Sequence, residues 1–122
     1  MLDRPILVVD DDPTILATIA ELLDLEGYAV ATAANGAEAL EYVRRDSPRL
    51  VLLDMRMPVM DGWAFARAVK EGGHRLRIVV MTAAHDAPRW AREVGARAHV
   101  SKPFEADELI ATVESALAGS DC

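Results

Sequence analysis

Four places in this chain carry side chains with chemistry to offer: Asp10-Asp11-Asp12, Asp54, Thr82 and Lys102. Each sits at the end of a short aliphatic run. Brought together, Asp10, Asp11 and Asp54 would place carboxylates within a few ångströms of one another. Bare, they would repel, and one would take up a proton. A divalent cation removes that penalty. Oxygen-only donors with no His or Cys beside them suit a hard ion, Mg2+ first and Mn2+ second. Mg2+ takes few carboxylates, keeps waters and accepts a phosphate oxygen, so such a cluster suits the receipt of a phosphoryl group. Lys102 is one of two lysines against 11 arginines. A compact ammonium there suits one phosphate oxygen, or a salt bridge to a carboxylate. The Thr82 hydroxyl can serve another oxygen. A carboxylate can itself act as nucleophile and form an aspartyl phosphate. Catalysis then reduces to positioning and charge neutralisation.

Each of these residues also has an ordinary structural role open to it. Asp12 before Pro13 fits a helix N-cap. Asp10 and Asp11 fit a turn, Asp54 a loop start, Thr82 a strand and Lys102 a solvated surface. What distinguishes them is joint placement, which depends on the elements that carry them.

The aliphatic runs at 6–9, 28–33, 50–53, 78–81 and 98–100 read as strands. Three of them lack polar alternation, as expected of strands covered on both faces. Helical spacing fills the intervals. Ile15, Leu16, Ile19, Leu22 and Leu23 mark one apolar face, with Gly27 at its stop. Ala37, Leu40 and Val43 mark a second, ending in Arg44-Arg45, where a helix end favours cations. Trp63, Phe65, Ala66 and Val69 mark a third, stopped by Gly72-Gly73. Trp90, Ala91 and Val94 lie between Pro88 and Gly95, and Leu109, Ile110, Val113 and Leu117 mark the last. Five β-α repeats predict an α/β doubly wound parallel sheet with right-handed crossovers. In such sheets the crevice lies at the carboxyl ends of the strands. Asp10-Asp11-Asp12 end the first strand, Asp54 the third, Thr82 the fourth and Lys102 the fifth. The second ends in Ala33-Ala34-Asn35 and contributes nothing. That distribution predicts the strand order 2-1-3-4-5, with the switch point between the first and third strands.

The 122 residues suffice for one domain with its own core, expected over 1–118 with a short tail at 119–122. The net charge is -7. An acidic chain without a basic run is a poor partner for nucleic acid or an anionic membrane. Cys122 is the single cysteine, so an internal disulfide is excluded and a reduced, cytoplasmic setting fits. The apolar runs are far shorter than a membrane span, and the first residues lack a signal-peptide pattern.

Together, Ile6-Leu7-Val8-Val9-Asp10-Asp11-Asp12, Leu52-Leu53-Asp54-Met55-Arg56-Met57-Pro58-Val59-Met60-Asp61-Gly62, Val80-Met81-Thr82-Ala83 and Ser101-Lys102-Pro103-Phe104 resemble the receiver domain of bacterial response regulators, over essentially the full length. The resemblance implies a flavodoxin-like (βα)5 fold with Asp54 as phosphoacceptor. It implies Mg2+ on Asp11, Asp54 and the backbone carbonyl of Arg56, with Asp10 acting mainly through water. Thr82 and Lys102 would hold phosphoryl oxygens, the Lys102-Pro103 bond would be cis, and Pro58, Asp61 and Gly62 would shape the turn into the third helix. The phosphoryl donor would be a histidine kinase or a histidine phosphotransfer protein. A downstream protein would read the face formed by the fourth helix, fifth strand and fifth helix. The new charge would draw Thr82 inward and let the side chain at position 99 follow.

That position departs from the family's usual Tyr or Phe: it is His99, smaller, polar and titratable. Arg56, two residues past Asp54, could cover a phosphoryl group and slow attack by water. His85 and His74 read as loop histidines, and Trp90 as core or interface. Three other readings stay open. A Mg2+-dependent phosphohydrolase normally wants a second acid just after its aspartyl nucleophile, and Met55, Arg56 and Met57 stand there. A flavin or nucleotide binder of the same fold wants a Gly/Ser/Thr-rich loop after the first strand, where three acids stand. A receiver that never takes phosphate would not need the full set of acids, Thr and Lys.

Overall fold

In the computed structural model of the chain, the element order is β1 (Ile6–Val9), α1 (Pro13–Leu25), β2 (Val30–Ala33), α2 (Gly36–Arg45), β3 (Leu50–Asp54), α3 (Gly62–Glu71), β4 (Ile78–Thr82), α4 (Ala87–Val94), β5 (Ala98–Ser101) and α5 (Ala106–Ala118). The structure describes residues 4–83 and 85–118. The expected tail at 119–122 lies outside the described residues. The five strands are all parallel, in the order β2-β1-β3-β4-β5. This is the order the strand ends predict, and the flavodoxin-like arrangement the resemblance implies.

Aliphatic runs become the inner strands because both of their faces can be buried at once. Every residue of β1, β3 and β4 is buried. Alternate side chains feed two cores. Leu7, Val9, Val51, Leu53 and Val80 pack with Ala39, Leu40, Val43, Phe65, Val69 and Trp90 of α2, α3 and α4. Ile6, Val8, Leu50, Leu52, Val79 and Met81 pack on the other face with Ile19, Leu23, Leu109 and Val113 of α1 and α5.

Register fixes where the site residues emerge. Val9 stands opposite Leu53, so Asp10 leaves β1 level with Asp54. Asp54 stands opposite Met81, and Thr82 opposite Ser101, so Lys102 follows one residue beyond Thr82.

Two local expectations are corrected. The second strand starts at Val30, not at 28. Gly27 turns with φ +93°, and the Tyr28 N–H bonds back to the Leu23 carbonyl at 3.1 Å. Tyr28 therefore closes α1 instead of pairing with β1. On α2, Ala37 is exposed, and the buried stripe runs through Gly36, Ala39, Leu40 and Val43. Asn35 sets this phase by capping the helix: its side chain accepts the Glu38 N–H.

Candidate functional site

The end of β1 divides its three acids among different tasks. Asp12 caps α1, accepting the N–H groups of Thr14 at 2.9 Å and Ile15 at 3.4 Å, with Pro13 in the first turn. Its carboxylate is therefore engaged by the helix. Asp10 is 1% exposed. One of its oxygens accepts the Asp12 N–H at 3.0 Å, and the other accepts Lys102 Nζ at 2.5 Å. Asp11 is exposed at the mouth. One carboxylate oxygen each from Asp10, Asp11 and Asp54 lies within 4.8 Å of the other two.

Asp54 ends β3 and is 6% exposed. Burial pushes its carboxyl pKa up, from 3.8 to about 6. Lys102 opposes that shift, Asp10 adds to it, the Arg56 N–H opposes it by hydrogen bonding, and Asp11 adds to it. The ammonium of Lys102 lies 3.7 Å from Asp54, farther than from Asp10. Lys102 is itself anchored by its backbone N–H, which donates to the Thr82 carbonyl at 2.9 Å. The peptide bond to Pro103 is cis, as the resemblance implies. Thr82 is buried at the end of β4, between the strands that carry Asp54 and Lys102.

This donor set fits a hard dication. It offers only oxygen, and three carboxylates against one ammonium leave an excess of negative charge. Asp10 is already satisfied by Lys102, so Asp11 and Asp54 are the carboxylates with charge to share.

The loop after β3 is held tightly. Asp61 caps α3 by accepting the Ala64 N–H at 2.9 Å. The Gly62 N–H donates to the Met55 carbonyl at 2.9 Å. A Cβ at Gly62 would stand 2.6 Å from Met55 Sδ and 3.0 Å from the Asp54 carbonyl oxygen. Only glycine allows α3 to start this close to the strand end that carries Asp54.

Arg56 makes a contact that the sequence did not disclose. The guanidinium of Arg56 lies 5.3 Å from the centre of the Trp90 ring, as a cation–π contact onto α4. Trp90 is buried and meets Trp63 edge-on at 4.8 Å, and Trp63 Nε1 donates to Glu93 at 2.9 Å. The loop beside Asp54 is thus linked to α4 through Arg56. Trp90 is core, not an exposed anchor. His99 is exposed on the edge strand β5, as is His85 in the loop after β4.

Comparison with known proteins agrees with this geometry. The sequence model described as the response regulator receiver domain matches residues 6–114. Sporulation initiation phosphotransferase F of Bacillus subtilis is 40% identical over 111 residues, covering 89% of this chain and 90% of that protein. Response regulator MprA of Mycobacterium leprae is 37% identical over 92% of this chain, which spans only 50% of MprA. Among solved structures, the receiver domain of NtrX from Brucella abortus superposes with a TM-score of 0.86 at 34% identity, covering 94% of this chain and 99% of that one. The chemotaxis protein CheY4 of Vibrio cholerae gives 0.85 at 29% identity, covering 94% and 99%. The strand order and the acidic strand ends are those of a receiver-type signalling domain. The chain belongs to the response regulator receiver domain family and functions in phosphorylation-dependent signalling. Receiver domains bind Mg2+ at an acidic pocket and interact with histidine kinases and downstream effectors. Among the described residues, no helix is long and apolar enough to cross a membrane.

Proposed function

We propose that Asp54 accepts a phosphoryl group from the phosphohistidine of a histidine kinase or a histidine phosphotransfer protein. A carboxylate oxygen of Asp54 forms the new bond to phosphorus. The phosphorus–nitrogen bond to the donor imidazole breaks, and its electron pair stays with the ring, which takes a proton. Later a water attacks phosphorus and the Asp54 carboxylate leaves. The observation that carries this reading is the meeting of the Asp10, Asp11 and Asp54 carboxylates within 4.8 Å, with the Lys102 ammonium 3.7 Å from Asp54.

Asp11, Asp54 and the Arg56 carbonyl would hold Mg2+, or Mn2+, with Asp10 acting through water. The ion supplies charge neutralisation for incoming phosphoryl oxygens. The chain's own groups do the rest. Asp10 holds Lys102 in place, and Lys102 and Thr82 receive phosphoryl oxygens. The fold keeps the Asp54 carboxylate at the end of a buried strand, where its orientation is fixed. The protein assists gain and loss of its own phosphoryl group and is not a turnover enzyme for small phosphate esters.

The signal leaves through α4, β5 and α5. Drawing Thr82 toward new phosphoryl oxygens vacates space beneath β5, and His99, now outside, can turn in. New negative charge beside Arg56 also competes with the Trp90 ring for its guanidinium. Both changes act on the same face, which a downstream protein reads. The receiver extends over 1–118 and works in a cytoplasmic setting, with neither nucleic acid nor membrane as a partner.

Incubation with Mg2+ and a small acyl phosphate, followed by intact mass, tests the reading. Wild type gains one phosphoryl group, and neither Asp54→Asn nor wild type in EDTA does. Labelling of the variant equal to that of wild type would contradict it.

A further inference from the structure

The strands deliver acids to one end of the sheet and arginines to the other. A cleft of about 1100 Å³ opens beside the starts of β3 and β4, between the carboxyl ends of α3 and α4. Eight of the chain's 13 lysines and arginines line it, against one of its 20 acids, Glu93. Glu93 is already engaged, by Trp63 Nε1 at 2.9 Å and by Arg89 at 3.9 Å. Arg67, Lys70, Arg75 and Arg92 are exposed there, and among the described residues they make no side-chain hydrogen bond or ion pair.

The carboxyl ends of α3 and α4 favour nearby cations, which accounts for Lys70 and Arg92. That does not account for Arg67 within α3 or for Arg75 in the loop beyond it. Unpaired like charges gathered in a concave surface repel one another, and the concavity focuses their field. An anion of matching size relieves the repulsion.

We propose that this cleft binds a small polyphosphate, of the size of a nucleoside triphosphate. Its volume exceeds what one phosphate needs and lies near the upper range of small-ligand sites. Its cations are almost all guanidiniums, whose planar forks grip phosphate through two parallel hydrogen bonds. Trp63 also lines it, half-buried, and offers aromatic surface to a base. Long nucleic acid fits less well, because the net charge of -7 repels an extended polyanion beyond the cleft. The site stands at the opposite end of the strands from Asp54 and does not depend on the phosphoacceptor reading.

The test is titration of the full chain in metal-free buffer, read by calorimetry and tryptophan fluorescence. The probes are inorganic tripolyphosphate, ATP, a Glu-rich peptide and a short single-stranded RNA. Tripolyphosphate and ATP bind saturably and displace each other. Arg67→Ser combined with Arg75→Ser weakens both by about tenfold or more, while the melting temperature stays that of wild type. Equal affinity for the two assigns recognition to phosphate alone, and tighter ATP binding adds the base. Absence of saturable binding, or binding indifferent to the double substitution, overturns the proposal. So does tighter binding of the acidic peptide or the RNA, which would make the cleft a protein or nucleic-acid contact.

Discussion

Asp54 is a carboxylate held where its charge is unwelcome, and removing that charge has a measurable consequence. Its pKa is raised from 3.8 to about 6, chiefly by burial. The folded state therefore binds this proton more tightly than the unfolded chain does. Stability from that proton is present below the unfolded pKa and is lost as pH rises from about 4 through about 6. At roughly 1.4 kcal/mol per unit, the ceiling at neutral pH is about 3 kcal/mol. The neighbouring Asp11 is exposed, and water at that mouth screens the charge, reducing the figure to about 1–2 kcal/mol. Asp54→Asn keeps an oxygen for the Arg56 N–H and drops the charge. Without Mg2+ at pH 7.5, it should be more stable than wild type by that amount, or by about 3–8 °C in melting temperature for a chain this long. At pH 4.5 most of the gap should close. Excess Mg2+ should raise the melting temperature of wild type and leave that of the variant nearly unchanged. Thermal melts in EDTA and in Mg2+ at both pH values decide it. An Asn variant less stable than wild type at pH 7.5 in EDTA would refute the reasoning.

Three further substitutions probe the site and its exit. Lys102→Met leaves the buried Asp10 carboxylate without its ammonium. It should cost about 2–4 kcal/mol in urea unfolding and slow acyl-phosphate labelling, and unaltered stability would show that the pair is incidental. Arg56→Ala exposes the phosphoryl group to water, so the phosphorylated form should decay about fivefold faster in a mass-spectrometric time course, against an unchanged rate if Arg56 serves only Trp90. His99→Ala should alter the ratio of partner affinities between phosphorylated and unphosphorylated forms, measured by calorimetry with the partner once isolated, and an unchanged ratio removes His99 from the switch.

The strands that position the site were readable because β1, β3 and β4 are buried on both faces and so carry unbroken aliphatic runs. The acids, Thr82 and Lys102 were readable as a group because parallel pairing places what ends each run on one edge. Tyr28 misled because its ring is apolar for a reason unrelated to β2: it packs where α1 closes. Ala37 misled because alanine suits a helix on any face, and the phase of α2 was set by the Asn35 cap. The Arg56–Trp90 contact joins elements distant in sequence, and no local pattern announces it. The basic cleft was hidden for a related reason. Its arginines come from several loops and helices, so the net acidity of the chain concealed a segregated charge.

The most direct measurement is the position of the phosphoryl group itself. The chain is labelled with an acyl phosphate and Mg2+, reduced with borohydride and digested, and the peptides are sequenced by mass spectrometry. Reduction of an aspartyl phosphate leaves homoserine, and this residue should appear at position 54 alone. Homoserine at 10, 11 or 12, or phosphate retained on a serine or threonine with position 54 unmodified, would contradict the assignment of Asp54 as the acceptor.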